Sequence, residues 1–257
     1  MSDRREHDIL HVEACGDAVV MTIDRPARQN AIDRALAKKI AGAVKAANED
    51  PAARGVVLTA AGDRVFSAGG DLNEILAALD HGSSSDISDV FTLLDEIEWC
   101  DLPVIAAVQG DVFGGAAELL LLCDMVIIEE HVHIAFRHAR MGLSPAWGGL
   151  SRLLERVGPL HAQRLLFTAE KVTAQEAERI GLVSEVVPRG FARERALARV
   201  SHIADNPRST VAALKRATRE VRELLRAPGI ERERAAFMER WGGPDHVTAM
   251  RAFRERK

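Results

Sequence analysis

Tyrosine is absent from the 257 residues, and aromatic side chains together make up only 4%. Chemistry that needs a phenol as proton donor or nucleophile is therefore excluded. So is the aromatic and basic strip on which nucleobases stack. Cysteine is scarce: Cys15, Cys100 and Cys123 are odd in number, far apart and set among apolar neighbours. That pattern fits reduced core thiols and neither a disulfide framework nor a zinc site. Long hydrophobic runs are missing too, since the stretches 103–108 and 116–123 fall well short of the ~20 apolar residues of a membrane span. Residues 1–8 are charged and lack the apolar segment of a secretory leader, so a cytoplasmic location is expected. His131 and His133 alternate with no third ligand nearby in sequence, and no metal site is expected.

What is present is ordinary globular composition, 47% hydrophobic and 28% charged. The net charge of −4 hides an asymmetry. From Arg189 onward there are 17 basic and 9 acidic residues, leaving 17 and 29 for the preceding part. Alternating charges of this kind belong to solvated helices. A sharper reading has the basic tail meeting an acidic neighbouring subunit or receiving ligand phosphates, with Lys215 and Arg216 as candidates.

Apolar alternation at 9–14 and 18–23 around Cys15-Gly16-Asp17 predicts a hairpin. Asp33 is placed to cap a helix over 35–48, which Asp50-Pro51 stops. Further strands are predicted at 56–58, 104–108, 125–128, 133–136 and 183–187, with helices at 72–79, 87–100 and 116–122. The Gly/Ser-rich stretch 81–86 reads as a mobile loop. Strands alternating with helices, followed by a mainly helical end, give an α/β class. The division expected is a core domain over 1–190 and a helical region over 191–257.

Two stretches carry chemistry. Phe66-Ser67-Ala68-Gly69-Gly70-Asp71-Leu72 places small residues where backbone approaches a ligand closely and a helix start points amides outward. Gln109-Gly110-Asp111-Val112-Phe113-Gly114-Gly115-Ala116-Ala117-Glu118 repeats the device. Two amide-presenting turns are what an oxyanion hole requires, one donor from each. Glu118 lies in an almost wholly apolar helix, where a carboxylate is either ion-paired or used. Asp71 reads as a helix cap and Trp147 as a cavity wall or core residue.

These two stretches resemble the motifs of the crotonase (enoyl-CoA hydratase/isomerase) superfamily, nearly end to end. Arg25-Pro26-Ala27-Arg28-Gln29-Asn30-Ala31 looks like its early coenzyme A contact loop, and 142–149, with Pro145 and Trp147, like its third active-site loop. The resemblance implies a ββα spiral core and a C-terminal helical region that packs trimers or a dimer of trimers. It implies coenzyme A as part of the substrate, no prosthetic group, and no membrane or nucleic-acid partner. Ala68 and Gly115 become the oxyanion-hole amides and Glu118 the first catalytic glutamate. Ala27, Arg28, Gln29, Gly69, Gly70, Asp71, Leu72 and Gly114 join them as binding residues.

The position of the hydratases' second glutamate holds His138. The run Phe136-Arg137-His138-Ala139-Arg140-Met141-Gly142 looks more like the superfamily branch that decarboxylates ethylmalonyl- and methylmalonyl-CoA. Loss of carbon dioxide needs an oxyanion hole and one proton donor, and no second carboxylate. The expectation is an acyl-CoA lyase, decarboxylation of an alkylmalonyl-CoA first and enoyl-CoA hydration second. From another class come RNA binding through the basic tail and non-catalytic acyl-CoA binding.

Overall fold

The computed structural model describes residues 9–81 and 85–255. The hairpin forms as β1 (Leu10–Cys15) and β2 (Ala18–Ile23), with Gly16 at its turn in the left-handed region that glycine tolerates. Helix α1 (Arg34–Glu49) is capped by Asp33, whose carboxylate accepts from the Leu36 amide at 2.8 Å. Its buried face of Leu36, Ile40 and Val44 follows the helical period.

The chain then repeats one device. Strand β3 (Gly55–Ala60) is followed at once by short β4 (Val65–Ser67), then by α2 (Leu72–Asp80) and α3 (Ser85–Trp99). Strand β5 (Val104–Val108) leads to β6 (Asp111–Phe113) and α4 (Gly115–Leu122). Strand β7 (Met125–Glu129) leads to β8 (His133–Ala135), a 3-10 turn at His138–Met141 and α5 (Gly149–Thr168). Strand β9 (Val172–Thr173), α6 (Ala174–Arg179) and β10 (Glu185–Val187) close the core. Helices α7 (Ala192–Ala204), α8 (Arg208–Arg240) and α9 (Pro244–Glu255) complete the described chain.

The first strand of each unit joins a sheet ordered β1-β2-β3-β5-β7-β10, parallel except for β1. The second strand joins another, ordered β4-β6-β8-β9. Two strands and a helix per turn, stacked in parallel register, are the expected ββα spiral. Of the second sheet only β8 was legible, as the strand expected over 133–136. The strands of this sheet run to only two or three residues, too short to show an alternating pattern.

Two expectations need correction. Residues 82–84 of the expected loop lie outside the described residues, but Ser85 and Asp86 already belong to α3. The boundary at 190 also does not separate core from appendage. Ala192, Ala196 and Val200 of α7 are buried against Val57, Ile105 and Ile127, covering the face of the first sheet opposite α1 and α4. Each fully buried Val or Ile in that layer contributes about 1.5–3 kcal/mol, so α7 is part of the core.

The basic tail is explained within the chain. Lys215 bonds the Leu102 carbonyl at 2.8 Å and Asp124 at 2.7 Å, and Arg216 pairs with Asp101 at 2.7 Å. Arg226, Arg234 and Arg254 likewise pair with acids of the body. Lys215 and Arg216 are thus committed to structure, and the charge asymmetry is complementary packing of α8 and α9 onto an acidic core.

Candidate active site

The two glycine-rich turns meet backbone to backbone. A Cβ on Gly69 would fall 2.8 Å from the Gly115 nitrogen and 2.8 Å from the Phe113 carbonyl, so only glycine permits this approach. Gly114, with φ 56° and ψ −127°, turns the chain from β6 into α4 in a conformation that side chains resist. A cavity of about 870 Å³ opens over this junction.

A census of the amides decides which of them face it. The Ala68 N–H donates to the Gln29 carbonyl at 3.0 Å, Gly69 to Ser67 Oγ at 3.2 Å and Asp71 to the Ile32 carbonyl at 2.9 Å. Gly114 donates to the Ala135 carbonyl at 2.9 Å. Among the described residues the Gly70 and Gly115 amides have no acceptor. Gly70 forms a parallel bridge with Ile32, in which residues 69 and 71 make the hydrogen bonds. Its own N–H therefore points to the opposite side, into the cavity. Both glycines also abut one ring. Trp147 Cζ2 lies 4.0 Å from a Cβ built on Gly70, and Cη2 lies 2.8 Å from one built on Gly115.

The expectation for Ala68 is thereby corrected: its amide is spent on Gln29, a residue held in the left-handed region at φ 52°. Gly70, two residues on, is the free donor that accompanies Gly115. Nothing in composition or spacing separates Ala68 from Gly70; only the bridge to Ile32 does.

Glu118, 1% exposed, projects from the first turn of α4. Its Oε2 accepts three backbone amides, Ala146 at 3.1 Å, Trp147 at 2.8 Å and Gly149 at 3.0 Å. Its Oε1 lies 2.7 Å from Nε2 of His138. A Cβ on Gly149 would come within 2.3 Å of the Glu118 Cγ, so glycine at 149 is what lets the α5 start close on the carboxylate. The buried Nδ1 of His138 has no partner among the described residues. The imidazole is thus a buried partner of Glu118 rather than a surface cap.

Asp71 caps α2 through the Asn73 amide at 3.0 Å and meets Arg25 and Arg28, each at 3.2 Å. Burial alone would raise its carboxyl. Hydrogen bonds from Asn73 and Arg28, with the charge of Arg25, outweigh burial and hold it below the usual range. Its role is to fasten the 25–31 loop to the glycine turn.

Ala27, Arg28, Gln29, Ala68, Asp71 and Leu72 line the cavity, as do Gly70, Gly114, Gly115, Glu118, His138 and Trp147. Gly69 and Pro145, also expected there, are not part of its lining; Ser144 and Ala146 flank Pro145 at the wall. The apolar end was missed altogether. It is built by Val90 and Phe91 of α3, Phe237 of α8, and Met250 and Phe253 of α9. These residues read as ordinary helix faces, and only the return of α9 over the 3-10 turn brings them to the site. Among the described residues no cluster of three or more potential metal ligands occurs. The three cysteines are free, and burial pushes the Cys123 thiol up to about 12.

Residues 15–257 match the model of the enoyl-CoA hydratase/isomerase family. The chain belongs to that family. Among similar members is 2,3-dehydroadipyl-CoA hydratase of Escherichia coli, 33% identical over 220 residues that cover 85% of each chain. Another is the mitochondrial enoyl-CoA hydratase of Pongo abelii, 32% identical over 240 residues, 93% of this chain and 81% of that one. A crystal structure of an enoyl-CoA hydratase/isomerase from Pseudoalteromonas atlantica superposes with a TM-score of 0.87 at 28% identity, covering 97% and 98% of the two chains. The crotonase fold is shown, with its C-terminal helical region. The decarboxylating branch within the enoyl-CoA hydratase/isomerase family finds no support among these relatives, several of which are named hydratases.

Proposed function

We propose that the protein adds water across the α,β double bond of an enoyl-CoA thioester, or removes it in reverse. The thioester oxygen sits between the Gly70 and Gly115 amides, which carry the negative charge that develops as the enolate forms. Water lies against Oε1 of Glu118 and Nε2 of His138. As its oxygen bonds to the β-carbon, one of its protons passes to the Glu118–His138 pair, and the pair returns that proton to the α-carbon of the enolate to complete the addition. The single observation behind this reading is the buried Glu118–His138 contact beside two unpartnered amides. The names of the relatives favour hydration over the decarboxylation expected from the 136–142 run.

The family's second carboxylate is replaced, and an imidazole can hold or release a proton near neutral pH. Glu118 keeps one oxygen locked by three amides, so only the other is available for water. This arrangement favours one fixed carboxylate and one mobile proton carrier.

The test is direct. Purified protein is given crotonyl-CoA, 2,3-dehydroadipyl-CoA and ethylmalonyl-CoA, with loss of the conjugated thioester and release of carbon dioxide followed separately. Consumption of an enoyl-CoA without carbon dioxide supports hydration; release of carbon dioxide alone restores decarboxylation. Binding without turnover of any of the three makes the protein an acyl-CoA binder. A trimer is part of the same proposal. Leu214, Val221 and Leu224 of α8 stand 62–82% exposed, an apolar stripe that assembly would cover.

A further inference from the structure

The start of α5 is held by two carboxylates, and the mechanism above uses only one. The first turn of a helix presents amides without an intrahelical partner. Glu118, from α4, takes those of Ala146, Trp147 and Gly149. Glu233, from α8, takes that of Ser151 through Oε2 at 3.0 Å. The two acids thus hold neighbouring amides, Glu118 at the loop entering α5 and its first residue and Glu233 two residues further on. Gly229, one helical turn before Glu233, seats α8 there, because a Cβ on it would fall 2.8 Å from Ser151 Oγ.

Glu233 is 1% exposed, and its Oε1 has no partner among the described residues. The cations nearby are engaged elsewhere. Arg152 of α5 binds Glu98 and the Trp147 carbonyl, Arg234 binds Asp95 at 2.8 Å, and Arg226 binds Glu98 at 2.6 Å and Glu155 at 3.0 Å. What Glu233 faces is the charge of Glu118, with Arg152 the one opposing cation.

We infer that Glu233 is a positioning residue for Glu118, acting through the first turn of α5 that both hold, and that it serves in its protonated form. A neutral acid accepts the Ser151 amide without adding a second negative charge beside Glu118. An ionised one repels Glu118 across the shared turn and shifts the amides that fix its Oε2. Burial and, after it, the Glu118 charge push the Glu233 carboxyl up to about 7, while the Ser151 and Leu150 amides and Arg152 pull the other way. Other titratable groups on the elements around it include His138, on the other oxygen of Glu118, His246 of α9, held down by burial, and Asp95, Glu98 and Glu155, each paired with arginine. Because the folded value is raised, the stabilising contribution is complete below the ordinary carboxylate value of 4.5 and is lost as pH rises through about 7.

The inference rests on Glu118 as the catalytic carboxylate, so its test carries one readout that does not need turnover. Glu233→Gln keeps a carbonyl for the Ser151 amide and cannot ionise. Tm and the hydratase kcat are measured against pH for the unmodified protein, Glu233→Gln and Glu233→Ala. In the unmodified protein Tm falls between pH 4.5 and about 7 and levels off above, and kcat falls as pH passes about 7. Glu233→Gln loses both falls, with kcat at lower pH reduced by no more than about threefold, and Glu233→Ala loses more than about tenfold in kcat with KM little changed. Persistence in Glu233→Gln of the full Tm fall between pH 4.5 and about 7 and of the kcat fall through about 7 overturns the inference, as does an undiminished kcat in Glu233→Ala. If the unmodified protein turns over no thioester while Glu233→Gln still abolishes the Tm slope, the clamp on α5 stands and the hydratase reading falls.

Discussion

Nε2 of His138 lies 2.7 Å from Oε1 of Glu118, while the other oxygen of that carboxylate is pinned by three backbone amides. One oxygen is structural and the other is available, and this division organises the chemistry of the site. It also separates the roles of the two residues. Glu118 is fixed in place by the entry to α5, and His138 contacts only its other oxygen.

Glu118→Gln preserves the side-chain shape and removes its charge. The variant is expected to fold with an unchanged circular dichroism spectrum and to lose about 10²–10⁴-fold in kcat on the enoyl-CoA that the protein hydrates. Retention of full turnover would show that the carboxylate only ties α5 to α4.

His138→Gln retains an N–H that can face Glu118 but no longer carries a proton between partners. Its kcat should drop by about 10²-fold with KM within a fewfold of the original, as measured in steady-state kinetics. A change in KM alone would make His138 a wall of the acyl cavity.

The two glycines of the proposed hole predict different tolerances. A methyl on Gly70 presses on Ile75 Cδ1 at 3.3 Å, a flexible end that can yield, meets Trp147 Cζ2 at an ordinary 4.0 Å, and leaves the amide in place. Gly70→Ala should keep kcat within about tenfold. A methyl on Gly115 lands 2.8–3.0 Å from three atoms of the buried Trp147 ring. Gly115→Ala should displace ring or amide and lower kcat by about 10²-fold or more. Equal effects of the two changes would argue against this geometry.

Glu98 is buried between Arg152 and Arg226. Burial would raise its carboxyl, but the charge and hydrogen bonds of Arg152, then of Arg226, outweigh this and hold it low. Its stabilising contribution is therefore present above the ordinary carboxylate value and lost as pH falls through the depressed one. Arg152→Ala leaves Glu98 with Arg226 as its remaining close cation and should cost about 1.5–3 kcal/mol in urea unfolding at neutral pH, less at acid pH. A neutral result would mean that water replaces the guanidinium.

The sequence carried the larger elements because their signals are local. Asp33 caps α1, the hairpin forms around Gly16 as expected, and Gly114-Gly115 opens α4. Glu118 stood out as a carboxylate in an apolar helix, and His138 as a departure from a resemblance. What was not legible depends on long-range backbone pairing. The choice of Gly70 over Ala68 rests on the bridge to Ile32, and the short strands β4, β6 and β9 exist only because they pair within the second sheet. Glu233 looked like one more charge on a solvated helix. Its burial against Ser151 appears only when α8 folds back onto α5.

The central claim is that the Gly70 and Gly115 amides jointly receive the thioester oxygen. A crystal structure with acetoacetyl-CoA, whose thioester mimics the enolate, tests it most directly. That oxygen is expected within about 2.7–3.1 Å of both nitrogens, with the Ala68 amide still on the Gln29 carbonyl. An oxygen bound by the Ala68 amide instead, or one that reaches neither glycine, contradicts it.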